Sequence, residues 1–120
     1  MIRTIQRAAL LLAAVAAAAL VVLPIATAKT SGSTTVTVKA TSALKFVLST
    51  KTAKAGTVIF KVTNTGAIPH DFKIAGKKTP LIGGHKSATL KVTLKKGRYT
   101  YICTVPGHAA AGMKGVFTVK

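Results

Sequence analysis

Acidic residues are almost missing from this sequence. A single aspartate, Asp71, stands against 18 lysines and arginines in 120 residues, and the formal net charge is +17. The electric field of so many positive charges attracts negatively charged surfaces. Three explanations for this excess of positive charge compete: nucleic-acid binding, an acidic protein or anionic envelope partner, and lysines that solvate sheet faces and discourage edge-to-edge aggregation.

Cysteine and tryptophan are equally scarce. The chain has one cysteine, Cys103, and no tryptophan, so no disulfide can form within it. In an exported protein a single thiol is paired with another chain or chemically occupied, and a bound metal would occupy it. No aromatic stacking platform is visible, and export argues further against a nucleic-acid partner.

The N-terminus has the organisation of a secretory signal. Arg3 and Arg7 precede an apolar run over residues 8–23, followed by Pro24 and the small-residue pattern Ala26-Thr27-Ala28. The pattern predicts a signal helix over residues 1–28, cleaved after Ala28. The alternative is an uncleaved anchor, although the run is shorter than the roughly 18–20 residues that span a bilayer comfortably.

The remainder divides into a short flexible leader, residues 29–33, and one domain, residues 34–120. Export places that domain in the periplasm or at the outer face of the cytoplasmic membrane. The chain would stay tethered there if the signal were not cleaved. A domain of this size can bury a modest core without disulfides.

Alternation of apolar and polar residues dominates the domain. Turn signals rich in glycine separate short runs of period two, and no segment offers a convincing amphipathic helix. This pattern is typical of an all-β sandwich or barrel. Apolar residues that share a face lie at Val36/Val38, Leu44/Phe46/Leu48, Val58/Phe60/Val62, Leu90/Val92/Leu94 and Tyr99/Tyr101/Cys103, and we also expect His70-Asp71-Phe72 to begin a strand.

Soft metal ligands are concentrated near the C-terminus. Cys103, His108 and Met113 lie within eleven residues, and His70 can add a second imidazole from about thirty residues upstream. Thiolate, imidazole and thioether together select copper over hard cations such as magnesium. Because residues two apart in a strand share a face, Cys103 is expected to point inward with Tyr101.

Taken singly, each of these residues has a simpler explanation. A lone cysteine is most often a buried small hydrophobe, a lone histidine a loop residue, and a lone methionine core filler. Their joint spacing favours a metal site. His85 follows Gly83-Gly84 in a polar turn, and we interpret it as a surface histidine.

Two segments resemble the cupredoxins, the small blue-copper proteins that include plastocyanin, azurin and auracyanin. They are residues 64–72 and 96–119, with the ligand loop Tyr99-x-Tyr101-x-Cys103-Thr104-x-Pro106-Gly107-His108 and the exit Gly112-Met113-Lys114-Gly115. The resemblance implies a Greek-key β-sandwich or barrel of about seven to eight strands that holds one type 1 copper ion. It also implies three strong ligands, His70, Cys103 and His108, with Met113 as the weak axial ligand.

The chain departs from the cupredoxin pattern at one position beside the site. The family usually has asparagine after the first histidine, where it ties the two ligand loops together, and this chain has Asp71. A carboxylate can accept a hydrogen bond from the same backbone N–H or from the Thr104 hydroxyl, and such bonds orient metal ligands. The alternative is a local turn made by a strand-start aspartate.

The resemblance implies a carrier of single electrons through Cu(I) and Cu(II) rather than an enzyme. All four ligands are side chains, which leaves no open position for a substrate. Three alternatives remain: a copper carrier or buffer without electron transfer, a degenerate fold used as an adhesion or partner subunit, and a redox-silent zinc site.

We expect the partner of a monomeric carrier to be a redox protein with an acidic docking surface, such as a cytochrome or a membrane oxidase or reductase. Apolar residues around His108 would form the contact and lysines its rim. An anionic envelope surface is the second candidate partner. The residues concerned are Ala67, Ile68, Pro69, Pro106 and Ala109 to Ala111 for the patch, and Lys73 and Lys114 for the rim.

Overall fold

Two β-sheets enclose one core in the computed structural model, which describes residues 18–19 and 32–120. The strands are β1 Thr34–Ala40, β2 Phe46–Leu48, β3 Thr52–Ala53, β4 Gly56–Asn64, β5 Lys73–Ile74, β6 Lys77–Lys78, β7 Ser87–Leu94, β8 Gly97–Ile102 and β9 Lys114–Val119. One sheet has the order β2-β1-β4-β7, and the other has the order β3-β9-β8-β5-β6.

The predicted all-β architecture is confirmed, with nine strands in the described part of the chain. Three of these, β3, β5 and β6, are only two residues long, too short to show any alternation in sequence. Apart from residues 18–19 and 32–33, the predicted signal and leader lie outside the described residues. Nowhere in the described ranges is there a helix of the length and apolar character that a membrane span requires.

Strand pairing is mostly non-local. β1 runs parallel to β4, with Val36 opposite Phe60, and β4 pairs antiparallel with β7. In the second sheet β8 is central, antiparallel to both β9 and β5. β8 ends where β9 begins, with Ile102 opposite Lys114. The loops that follow β4 and β8 meet at this end of the sandwich, where Thr104 is hydrogen-bonded to Asp71.

The inward faces form an aromatic core. Alternate residues of β1 and β4 are fully buried, as the period-two pattern predicts. Phe72 lies against Phe46, Phe60 and Tyr101 with ring centroids 5.0–5.5 Å apart, and Phe60 contacts Phe117 edge-on at 5.3 Å. Such pairs add about 0.5–1.5 kcal/mol each beyond their buried area.

Two local expectations are wrong. Leu44 lies outside β2 in a left-handed turn with φ of 58°, because the Leu44 N–H donates to the Thr41 carbonyl at 3.1 Å and reverses the chain. His70 does not begin a strand: it forms an isolated antiparallel bridge with Ile82, and β5 begins only at Lys73.

Candidate metal centre

Two loops at the same end of the sandwich bring three donor atoms together. The Nδ1 atoms of His70 and His108 are 3.2 Å apart, and the Cys103 Sγ is 3.5 Å from the His108 Nδ1. The donor atoms of all three residues lie within 4.8 Å of one another. His70 and Cys103 are buried and His108 is half-buried, so the cluster lies directly beneath the surface.

Backbone and side-chain hydrogen bonds fix the position of His70. Its N–H donates to the Ile82 carbonyl at 3.1 Å, and the Ile82 N–H returns a bond of 2.7 Å. The buried amide of Asn64 donates to the carbonyls of Ile68 at 2.7 Å and Ile82 at 3.0 Å, and accepts from the Gly66 N–H at 3.0 Å. Asn64 therefore holds both sides of the loop that presents His70.

The loop after β8 is tied to itself around the other donors. The Cys103 N–H donates to the Met113 carbonyl at 3.1 Å, and the Met113 N–H donates to the His108 carbonyl at 3.0 Å. Gly107 and Gly112 have φ of 83° and 112°, conformations that residues with a Cβ rarely adopt. Met113 is fully buried, and its backbone links Cys103 to His108.

Asp71 joins the two ligand loops. The Thr104 N–H donates to the Asp71 Oδ1 at 2.6 Å, and the Thr104 hydroxyl donates to Oδ2 in a second, short bond. Asp71 is 4 % exposed. Because Asp71 follows His70 and Thr104 follows Cys103, this pair fixes the distance between the two ligand-bearing segments.

Burial sets the protonation of the donors. Desolvation lowers the pKa of His70, and the neighbouring His108 lowers it further, so the neutral imidazole that binds metals is favoured. The Thr41 backbone and the Asp71 charge oppose this lowering of the His70 pKa. Among the described residues, the buried His70 Nε2 has no hydrogen-bond partner.

Burial changes the pKa of the Cys103 thiol in the opposite direction to that of the His70 imidazole. Desolvation raises the pKa of the thiol, the backbone N–H groups of Asp71 and Val105 act in the opposite direction, and the Asp71 carboxylate raises the pKa further. A metal ion that binds there must displace the thiol proton.

The donor set fits a soft metal ion. Three ligands at about 2.0–2.3 Å from one ion lie roughly 3.3–3.7 Å from each other. The His108 Nδ1 lies at comparable distances, 3.2 Å from the His70 Nδ1 and 3.5 Å from the Cys103 Sγ. One thiolate with two imidazoles is the donor chemistry of blue-copper sites.

Comparison with known proteins identifies the family. Residues 33–120 match the family described as copper binding proteins, plastocyanin/azurin family. The chain belongs to this family. Copper is accordingly the cofactor, and the cluster of His70, Cys103 and His108, with Met113 adjacent, is consistent with a type 1 copper site. The resemblance to the cupredoxins is confirmed.

Solved auracyanin structures share the fold. The dithionite-reduced auracyanin of the photosynthetic bacterium Roseiflexus castenholzii is 27 % identical with a TM-score of 0.64, over 72 % of this chain and 97 % of that one. Auracyanin A, a blue copper protein of Chloroflexus aurantiacus, is 23 % identical with a TM-score of 0.63, over 74 % and 100 % of the two chains. A comparison with curated proteins gives no significant match.

The remaining predicted residues have clear positions. His85 is exposed and does not belong to the donor cluster. Lys73 and Lys114 are exposed, as are most of the apolar residues expected around His108, among them Ile68 at 45 %.

Sequence reasoning missed the roles of Asn64 and Thr79. The Thr79 hydroxyl accepts a bond of 3.0 Å from the Phe72 N–H and so fixes the chain that follows Asp71. An asparagine directly before Thr-Gly at the end of a strand is a turn signal. That signal does not reveal which carbonyls the side chain binds.

Proposed function

We propose that this chain is an exported blue-copper electron carrier. His70, Cys103 and His108 would be its strong copper ligands and Met113 its weak axial ligand. The observation that carries the proposal is the convergence of two imidazole Nδ1 atoms and one thiol sulfur within 4.8 Å. Copper bound there supplies one-electron chemistry between Cu(I) and Cu(II).

The residues around the donors suit that role because they restrict movement. Asp71 and Thr104 tie the two ligand loops together, and backbone bonds join Cys103, His108 and Met113 within one loop. A site that moves little between oxidation states exchanges electrons with little reorganisation. The half-buried His108, with exposed Pro106 beside it, offers a short route between the cluster and a partner.

Three further parts of the proposal rest on the sequence. The signal-like residues 1–28 support export to the periplasm or the outer face of the cytoplasmic membrane. Ligation by four side chains supports a carrier rather than an enzyme. The scarcity of acidic residues supports a redox partner with an acidic surface.

Addition of Cu(II) to the purified domain tests the proposal. We expect an intense thiolate-to-copper charge-transfer band in the visible spectrum and a reversible one-electron wave in voltammetry. Cys103→Ser should lose the band, whereas His85→Ala, which changes an exposed histidine outside the cluster, should keep it. A wild-type protein without the band, or a band that survives in Cys103→Ser, would refute the proposal.

A further inference from the structure

Three lysines form a row across the outer face of the five-stranded sheet. Lys78 of β6 is directly opposite Lys73 of β5, Lys73 is opposite Ile102 of β8, and Ile102 is opposite Lys114 of β9. All three lysines are exposed. With neighbouring strands about 4.8 Å apart, the row is about 14 Å long.

The row is not explained by solvation of the sheet alone. Lysines on a sheet edge discourage aggregation, which accounts for Lys78 and for Lys114, where β9 is paired only with β8. It does not account for Lys73, because β5 is paired on both sides. Like charges directly opposite one another destabilise a sheet. No carboxylate offsets them, because the only acidic side chain, Asp71, is buried and bound through both oxygens to Thr104.

The row lies beside the thiol of the donor cluster. Ile102 directly precedes Cys103, and Lys114 directly follows Met113. The Cys103 N–H donates to the Met113 carbonyl at 3.1 Å, so the two strand ends that carry this part of the row also hold the cluster. A partner that binds here would contact residues adjacent in the chain to Cys103 and Met113.

An apolar groove of about 540 Å³ adjoins the same surface. Lys78, Asp71 and Thr104 contribute to its lining, as do the exposed residues Ile68 and Leu81. Its remaining lining includes every proline of the described residues, namely Pro69, Pro80 and Pro106. Proline fixes φ, so these walls are pre-organised and lose little entropy on binding.

We infer that the lysine row and the groove are one docking surface for an acidic protein. Carboxylates of the partner would meet Lys73, Lys78 and Lys114, and a protruding apolar side chain would enter the groove. Charge complementarity indicates an acidic partner, and the concave recess favours a protein side chain over a flat anionic membrane. The inference rests on the proposed electron-carrier function and places the encounter on the Cys103 side of the site.

Matched charge variants of the copper-loaded chain test this surface. The row variant is Lys73→Gln/Lys78→Gln/Lys114→Gln. The control is Lys39→Gln/Lys61→Gln/Lys91→Gln, which removes three exposed lysines from the outer face of the other sheet. The net-charge change is equal, so only the location of the removed charges differs.

The reaction to measure is reduction of a small acidic ferric c-type cytochrome by the Cu(I) protein, in which one electron passes from Cu(I) to the haem iron. At low ionic strength we expect the second-order rate to fall about tenfold in the row variant and less than twofold in the control. The dependence of the rate on salt should also weaken only in the row variant. Equal losses in both variants, or no loss in either, would overturn the inference.

Two further arms test the groove and the membrane alternative. Leu81→Ser should slow the reaction, whereas Val47→Ser, which changes an exposed apolar residue of β2, should not. Vesicles rich in phosphatidylglycerol test the lipid alternative. If the wild-type protein bound these vesicles, the row variant did not, and the two reduced the cytochrome at the same rate, the row would bind an anionic membrane and not an acidic protein.

The outcome is separable from failure of the proposed function. Absence of the charge-transfer band from the wild-type protein would refute the electron-carrier proposal itself. With band and voltammetric wave intact in all variants, equal rates in the row and control variants would refute only the docking surface.

Discussion

The Asp71 carboxylate connects the two ligand-bearing segments, and its removal should loosen the site without destroying it. Asp71→Ala leaves the Thr104 N–H and hydroxyl without their acceptor. Residues that orient metal ligands typically contribute 10–100-fold to metal affinity. We therefore expect the variant to bind copper about 10–100-fold more weakly, as measured by competition with a chelator, and to show a shifted charge-transfer band.

Asp71→Asn is the matched control for this change. The amide oxygen can still accept the Thr104 N–H bond, and the Thr104 hydroxyl can rotate to accept from the amide nitrogen. The variant should keep most of the affinity. Because it removes one negative charge beside the site, its reduction potential should rise relative to wild type. Unchanged affinity, spectrum and potential in Asp71→Ala would show that Asp71 makes only a local turn.

For individual residues, the sequence predicts which side chains can bind a metal better than it predicts their hydrogen-bond partners. The convergence of Cys103, His108 and His70 follows from residue types, spacing and family resemblance, because those types have few reasons to recur together. The two acceptor carbonyls of Asn64 are different. These carbonyls belong to Ile68, four positions away, and Ile82, eighteen positions away. No local sequence pattern predicts the contact with Ile82.

Among the structural elements, the loop that presents His70 depends on the Asn64 amide. Asn64→Ala leaves the buried Gly66 N–H and the Ile68 carbonyl without their partner, and it removes one of the two hydrogen bonds that the Ile82 carbonyl accepts. An unsatisfied buried polar group costs about 1–3 kcal/mol, so we expect a loss of at least this size in the free energy of unfolding. Urea titration of the copper-free protein measures it as a lower midpoint at unchanged slope.

Lys61→Ala serves as the control for the Asn64 variant. Lys61 lies on the same strand, β4, with an exposed side chain, and its removal should change stability by less than about 0.5 kcal/mol. If Asn64→Ala is no more destabilised than Lys61→Ala, the hydrogen bonds of Asn64 do not organise the loop.

Strands could be predicted from sequence where they are long enough to alternate. β1, β4, β7, β8 and β9 have six to nine residues each, and their inward faces carry the predicted apolar residues. The two-residue strands are set by pairing, with partners that are distant in the chain for β3 and β5 and with the adjacent β5 for β6, and two residues leave no periodic signal. Leu44 fits the alternation of β2 in sequence but lies in a left-handed turn, in which its N–H donates to the Thr41 carbonyl. Such a backbone hydrogen bond cannot be predicted from the periodicity of apolar residues.

For the molecule as a whole, the core and the metal site are largely separate. Buried aliphatic and aromatic side chains of both sheets form a continuous core, and hydrogen bonds between protein groups tie the ligand loops together. We expect the copper-free chain to remain folded. Bound copper should raise the free energy of unfolding by about 2.7 kcal/mol when free copper is 100 times its dissociation constant.

Thermal unfolding with and without copper measures this contribution. The midpoint should rise with copper in the wild-type protein, and Cys103→Ser should show a much smaller rise. If the copper-free wild-type chain showed no cooperative thermal unfolding transition, the fold would require the metal.

The burial of Asp71 has a consequence for contacts between copies of the protein. With this side chain bound to Thr104 and withdrawn from solvent, no carboxylate side chain is exposed on the protein, whose other charged side chains are lysine and arginine. One copy therefore has no anionic side chain to offer to the lysines of another, and we expect the two surfaces to repel. The same charge that attracts an acidic partner opposes association of the protein with itself.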